Sequence, residues 1–244
     1  MTFVLTEEQN MLKEAAQDFM SEQLSLTHFR KQRNAGANGK DPESWGAMAE
    51  MGWYGVLVPE EFGGSEFGYV GMGQVLEAQG RTLASSPLLQ TAMVGVSALV
   101  LGGTDAQKST VLPKIAEGKI TTALAVDEHA HHAPANVAMS AEAAGGGYTL
   151  TGKKVFVPNG HFADLFIIAA RTSGSAGDTD GITLFMVPRE TDGMTISELS
   201  TLDYHGAANL ELNGVVVPAA DVLGEVGGGF ALLDAVLDRG RIGA

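Results

Sequence analysis

The spacing of apolar residues changes once along the chain, near Lys119, and this change constrains the fold more than any other feature. Before it, apolar residues recur at i, i+3, i+4, i+7 and i+8, which is the period of an amphipathic helix. After it, short apolar segments alternate at a period of two and are separated by Gly, Pro, Asn and Asp. The pattern predicts a helical region followed by a domain of many short strands, of the barrel or sandwich type.

The two ends of the sequence carry helical signals of their own. Thr6 and Gln9 have the spacing of a capping box, which predicts that a helix begins after Thr6. After a run of three glycines at 227–229, helical spacing resumes, and the sequence stops at Ala244 inside that predicted helix. We expect a helical domain over residues 1–118, a β domain over 119–225 and the beginning of a further helical segment over 226–244.

Composition excludes several classes of function. The chain has 15 Lys and Arg against 29 Asp and Glu, a net charge of −14, so neither nucleic acid nor an anionic membrane is an expected partner. There is no cysteine, which excludes disulfides, thiolate metal sites and a cysteine nucleophile. No apolar run approaches the ~20 residues of a membrane span, and the start lacks a signal-peptide pattern. These features are typical of a soluble, cytoplasmic protein.

Several loops and strands occur in an order that resembles the acyl-CoA dehydrogenase family. The matching segments are GWYGVLVPEEFGG (52–64), GTDAQKSTVLPKIAEGK (103–119), GYTLTGKKVFVPNGHFADLFIIAAR (147–171), GITLFMVPR (181–189) and VVVPAADVLGEVGGGF (215–230). The resemblance implies an α+β fold with an N-terminal all-α domain and a middle β-barrel domain. The chain would then end in the first helix of a truncated C-terminal helical bundle.

The resemblance also implies a function, a cofactor and partners. Family members are flavoproteins that bind FAD and desaturate an acyl-CoA thioester between its α and β carbons. A carboxylate takes the α-proton while flavin N5 takes a hydride from the β-carbon. Implied partners are the acyl-CoA substrate, an electron-transfer flavoprotein as acceptor, and other family subunits in a homo- or hetero-oligomer.

One flavin-facing segment of the family is a strand end that usually reads Thr-Glu-Pro. Here residues 126–128 read Val-Asp-Glu. The resemblance therefore implies that backbone groups of Leu124 and Val126 contact the flavin, without the family's hydroxyl group. A serine that contacts substrate in the family corresponds to His132.

The second flavin-facing segment usually reads Trp-Ile-Thr, and here it reads Phe156-Val157-Pro158. Phe156 keeps an aromatic face for stacking on the flavin, although its area is smaller than that of tryptophan. Pro158 has neither a hydroxyl nor an N–H, so it cannot donate to flavin N5. We expect all three residues to contact FAD, and we expect FAD to bind more weakly than in the family.

The sequence offers no catalytic carboxylate. Most family members carry it late in the C-terminal domain, and a minority carry it in the helix that begins near Phe230, just before an arginine. By resemblance, Arg241 corresponds to that arginine, and the residue before it is Gly240, which has no side chain. No catalytic residue is therefore assigned, and the chain alone is expected to be inactive.

A non-catalytic role is the alternative that the residues leave open. In mixed assemblies of the family, one subunit holds flavin and base while the other is degenerate and mainly structural. The departures at Val126, Pro158 and Gly240 fit such a structural subunit.

Two polar features have both a functional and a structural interpretation. The densest polar cluster consists of Asp127, Glu128, His129, His131 and His132. A metal site there is possible in principle, but a solvated loop is favoured because no second ligand cluster supports a metal. His161 follows an Asn-Gly pair and is interpreted as a turn residue rather than a base.

Overall fold

The helices come first along the chain, as the apolar spacing predicts. The computed structural model describes residues 4–244, and within that range six α-helices precede the sheet and one follows it. Their bounds are Glu7–Gln23 (α1), Leu26–Asn34 (α2), Pro42–Glu50 (α3), Gly68–Thr82 (α4), Val96–Gly102 (α5), Asp105–Ala116 (α6) and Gly229–Gly243 (α7). A π-helical segment, Leu89–Gly95, leads directly into α5. The predicted capping box is present, since Thr6 Oγ1 accepts from the Gln9 amide at 3.2 Å and Gln9 Oε1 accepts from the Thr6 amide at 3.1 Å.

The second half of the chain forms one mixed sheet of eight strands. The strands are Thr122–Ala125 (β1), Ser140–Ala144 (β2), Gly147–Pro158 (β3), Leu165–Arg171 (β4), Ile182–Pro188 (β5), Met194–Leu199 (β6), Ala207–Pro218 (β7) and Val222–Leu223 (β8). Their order is β6-β7-β3-β2-β4-β5-β8, with β1 parallel to β4. The expected α+β fold class, helices followed by a β domain and one final helix, is confirmed.

Strand β4 separates two apolar cores. Its side chains alternate between the faces of the sheet, as the pleat requires. Ile167 and Ala169 belong to the core shared with the helices, whereas Phe166, Ile168 and Ala170 belong to a second core within the sheet domain. Because both faces are buried, the sequence of β4 is a continuous apolar run rather than an alternating one.

Helix α7 is fixed against the N-terminal helices by its apolar face and by one arginine. Leu233 and Val236 are fully buried. Arg239 Nε donates to the Tyr69 hydroxyl at 2.9 Å, and that hydroxyl lies 2.8 Å from Ser97 Oγ. The Arg239 guanidinium also lies 5.5 Å from the centre of the Tyr69 ring, a cation–π arrangement. The C-terminal half of α7 is therefore held in place beside α4 and α5.

The loop between α2 and α3 joins the helical region to the sheet, and His161 is central to that junction. The His161 side chain is buried, and its Nε2 lies 2.7 Å from the Asn38 carbonyl oxygen. Asn38 Nδ2 donates to the Leu199 carbonyl at 3.4 Å, and Lys40 pairs with Glu198 at 2.6 Å. The buried position and these partners fit a structural role for His161.

Stability is expected to fall in mild acid because of His161. Burial lowers the pKa of this imidazole below 6.5, and the bond to the Asn38 carbonyl opposes that shift without reversing it. The folded pKa lies below the unfolded one, so the contribution is present above about pH 6.5 and is lost as the pH falls below it. The free energy of unfolding should therefore decrease from about pH 7.5 to about pH 5.5, and less so in His161→Gln. Denaturant unfolding at both pH values measures this, and equal pH dependence in both proteins would contradict it.

Among the residues that the structure describes, no helix combines the length and the apolar character that crossing a membrane requires.

Candidate functional site

A cleft of about 340 Å³ lies where α7, the π-helical segment, β1 and the end of β3 meet. All six residues that the sequence assigned to flavin or substrate line it: Leu124, Val126, His132, Phe156, Val157 and Pro158. The remaining wall is mostly apolar and comes from the helices, including Leu89, Val94 and Leu237. The fold thus brings the six residues together, and their individual roles stay predictions.

A second cleft of about 420 Å³ adjoins the first. The two share Leu89, Gln90, Phe156, Pro158 and Ala244. The second is more polar, since Asp203 and His205 from the segment before β7 line it. Sequence reasoning missed this cleft because the segment 200–206 carries no motif that sets it apart from an ordinary loop.

Phe156 is displayed by a bulge in β3. The pairing of β3 with β7 shifts register between Lys154 and Val157, and Phe156 has a left-handed φ of +48°. Its amide, which would otherwise lose its ladder partner, donates to Asn209 Oδ1 at 3.0 Å. The residue is 58% exposed, which is unusual for a phenylalanine in a strand. Such bulges redirect a side chain, here out of the sheet and along the cleft wall.

An aromatic ring system fits this wall. A large flat ligand can stack on an exposed phenylalanine and make apolar contacts with the leucines and valines opposite. Val157 differs from its neighbour, because its side chain is buried in the core of the sheet domain. Any contact of Val157 with a flavin would therefore be a backbone contact.

Pro158 ends β3 beside Ala207. Proline lacks an N–H, so the wall has no donor at this position. The next residue, Asn159, has a φ of +60° and begins the turn that contains the buried His161. The fold therefore places Pro158 where both clefts meet. Because it has neither a hydroxyl nor an N–H, it can donate no hydrogen bond to a ligand there.

Behind the cleft lies a buried ion pair that sequence reasoning did not single out. The Lys154 side chain has no exposed surface, and its Nζ donates to Glu128 Oε1 at 2.7 Å and to the Val126 carbonyl at 2.8 Å. Glu128 also accepts from the amides of Ala138 and Met139 at 2.9 and 3.0 Å. A lysine at a buried position of a strand was the available signal for this pair.

The polar cluster at 127–132 is engaged by the protein itself. His132 Nδ1 lies 2.8 Å from Asp127 Oδ2, and Asp127 Oδ1 accepts from the Ala133 amide at 3.1 Å. Glu128 belongs to the ion pair with Lys154. Across residues 4–244, no three His, Asp or Glu side chains are grouped as metal ligands. His132 keeps its place in the cleft wall and is half exposed there.

Gly240 of α7 also lines the cleft. A Cβ atom at this position would lie 3.2 Å from Val94 Cγ2, so a side chain here would stand against the apolar wall. The adjacent Arg241 pairs with Asp238 at 2.6 Å. Gly240, which the resemblance predicts to occupy the carboxylate position of a minority of the family, therefore lies at the cleft and carries no acid.

Two family models match the chain. "Acyl-CoA dehydrogenase, N-terminal domain" matches residues 6–119, and "Acyl-CoA dehydrogenase, middle domain" matches residues 122–215. Together they cover most of the sequence, in the order that the helices and the sheet follow.

Individual proteins agree with these matches. The mitochondrial 2-methylacyl-CoA dehydrogenase of Solanum tuberosum is 30% identical over 99% of this chain and 60% of its own length. The structure of butyryl-CoA dehydrogenase from Megasphaera elsdenii superposes with a TM-score of 0.91 at 28% identity, over 100% of this chain and 65% of that one. A solved FAD complex of PigA gives a TM-score of 0.84 at 26% identity, over 98% of this chain and 63% of that one.

The chain thus spans about three-fifths of the length of these proteins. The family models cover the first four of the five segments quoted from the sequence, and the relatives match along nearly the whole chain. The chain therefore belongs to the acyl-CoA dehydrogenase family.

Proposed function

We propose that the cleft binds the flavin ring of FAD next to an acyl-CoA, and that the chain serves in the α,β-dehydrogenation of that thioester. The observation that carries the proposal is the convergence of Leu124, Val126, His132 and residues 156–158 on one cleft. One structural relative is an FAD complex, which supports the choice of cofactor.

The residues that line the cleft would then have different roles in binding. FAD, when bound, supplies the hydride acceptor for the β-carbon. Phe156 offers a face for stacking, backbone groups of Leu124 and Val126 offer polar contacts, and the surrounding apolar side chains exclude water. His132, at the wall and oriented by Asp127, is the proposed contact for the polar part of the substrate.

A second candidate function is that of a non-catalytic subunit in a mixed assembly of family members. What favours it is Gly240, which lines the cleft where a carboxylate would be able to reach a ligand, together with the missing donor at Pro158. The two candidates share ligand binding and differ in turnover. This chain alone is expected to be inactive in either role. Turnover of an acyl-CoA with an artificial electron acceptor would therefore support the enzyme, whereas binding without turnover is compatible with both candidates.

Partners and domain limits are proposed on family membership. The proposed partners are an acyl-CoA, an electron-transfer flavoprotein as acceptor, and other family subunits. The proposed domains are residues 1–118, 119–225 and the start of a helical bundle over 226–244.

Restoring a hydroxyl at position 158 should tighten FAD binding. In Pro158→Thr, the new hydroxyl and the new amide can each donate to the flavin, and one hydrogen bond changes the Kd by about 2- to 12-fold. Titration of FAD, monitored by quenching of flavin fluorescence, measures the Kd. Pro218→Thr is the matched control, because Pro218 is an exposed strand-end proline outside the cleft.

We expect saturable binding that Phe156→Ala weakens, Pro158→Thr tightens and Pro218→Thr leaves unchanged. Absence of saturable binding would overturn the proposed function. Binding that is insensitive to both Phe156→Ala and Pro158→Thr would overturn the placement of the flavin in this cleft.

A further inference from the structure

Lys154 is the most deeply buried charge among the described residues, and no step proposed so far uses it. Its side chain has no exposed surface, and Glu128 beside it is only 8% exposed. Burial lowers the pKa of Lys154, and the Glu128 carboxylate partly offsets that effect. A buried ion pair contributes little net stability, because the free-energy cost of desolvating the two charges cancels most of their attraction. This raises the question of what else the pair does.

The third partner of the ammonium is a backbone carbonyl, and that contact orients a peptide bond. Lys154 Nζ donates to the Val126 oxygen at 2.8 Å, so the carbonyl of the 126–127 peptide points toward Lys154. The peptide is trans and planar, so the Asp127 N–H points in the opposite direction. Val126 and Asp127 line the cleft and Lys154 does not, which places this N–H on the cleft side.

The Asp127 amide has no acceptor within residues 4–244. Backbone donors are nearly always paired, so one left over at a cleft wall is a candidate ligand contact. By contrast, the Asp127 carbonyl is used, since it accepts from the Val155 amide at 2.8 Å. The free donor therefore belongs to a residue that pairs with Val155, the neighbour of Phe156 in β3, and Lys154 holds its peptide in place.

Glu128 makes the arrangement rigid. It accepts from Lys154 and from the amides of Ala138 and Met139. These bonds connect the start of the loop between β1 and β2 to the end of that loop. The peptide before Glu128 therefore has little freedom to rotate, and a preorganised donor loses less entropy on binding than a mobile one.

We propose that Lys154 and Glu128 are positioning residues that hold the Asp127 N–H toward the cleft, where it donates to an acceptor atom at the edge of the bound flavin ring. This inference rests on the proposed function. It assigns a purpose to a buried pair that contacts neither the cleft nor its ligand.

The first test needs no substitution. In wild-type protein labelled with 15N, titration with FAD should move the Asp127 amide proton downfield, as expected for a new hydrogen bond. The amide of Lys153, on the exposed side of β3, is the internal reference. An Asp127 resonance that stays in place while FAD binds would overturn the inference and leave the proposed function standing.

The second test removes the pair without leaving a lone buried charge. In Lys154→Met/Glu128→Leu, apolar side chains of similar volume replace both ions, an exchange that proteins often tolerate. We expect the Kd for FAD to rise about 2- to 12-fold with loss of one hydrogen bond, and the Asp127 shift on binding to disappear. Lys153→Met is the matched control and should bind as wild type.

The outcomes separate the two proposals. If FAD binds, Phe156→Ala weakens it, and the double variant binds like wild type with the same Asp127 shift, the inference about Lys154 is wrong. If FAD does not bind wild-type protein at all, the proposed function fails, and this inference fails with it.

Discussion

Lys154→Met alone should lower the free energy of unfolding by about 3–5 kcal/mol, the largest single effect that we expect in this protein. The substitution removes the ammonium and leaves Glu128 as a buried carboxylate without its counter-ion. The Val126 carbonyl loses its donor at the same time. Two backbone amides still donate to Glu128, but they do not neutralise its charge.

A double-mutant cycle measures this effect. Denaturant unfolding of wild type, Lys154→Met, Glu128→Leu and the double variant gives the coupling between the two residues. Each single variant should be strongly destabilised, and the double variant should recover most of the loss, because no uncompensated charge remains. Lys153→Met should unfold like wild type. A double variant that is as unstable as the sum of the single variants would show that the pair is not coupled.

Gly206→Ala should cost about 2–5 kcal/mol, the next largest effect. Gly206 has a φ of +72°, which is unfavourable for any residue with a Cβ. An added Cβ would overlap the His161 ring and lie 2.7 Å from the Asn38 carbonyl oxygen. It would therefore disturb the bond by which His161 connects the sheet to the helical region.

Gly36→Ala is the matched control for this prediction. Gly36 has the same φ of +72°, but a Cβ there would meet no atom within 4 Å. This variant should show only the backbone cost of about 1–2 kcal/mol. The difference between the two variants, measured by denaturant unfolding, isolates the packing at the junction. Equal losses of unfolding free energy in the two variants would mean that the junction around His161 accommodates the added methyl group without losing stability.

Much of the fold could be predicted from the sequence because its signals are local. The capping box at Thr6 needs only residues three positions apart, and the change of period near Lys119 needs only short windows. The cleft could be anticipated in part, because the family pattern brought Leu124, Val126, His132 and residues 156–158 together. That grouping came from the resemblance, not from the spacing of the residues.

What the sequence could not show depends on contacts between distant segments. The bulge at Phe156 needs the register of β3 against β7, and alternation alone does not reveal an extra residue. The partner of Lys154 is Glu128, which lies 26 residues earlier in the chain, and no local spacing rule links two residues so far apart. The π-helical segment Leu89–Gly95 lies in the region predicted to be helical, and apolar spacing alone does not distinguish it from an α-helix.

The double burial of β4 affects how the protein holds together. One face of this strand belongs to the core shared with the helices and the other to the core of the sheet domain. Neither core can open without exposing apolar surface of the other, because both use the same backbone segment. We therefore expect the helical region and the sheet domain to unfold as one cooperative unit, although they are distinct in sequence pattern. A destabilising change on either side of β4 is transmitted to the other side through this strand.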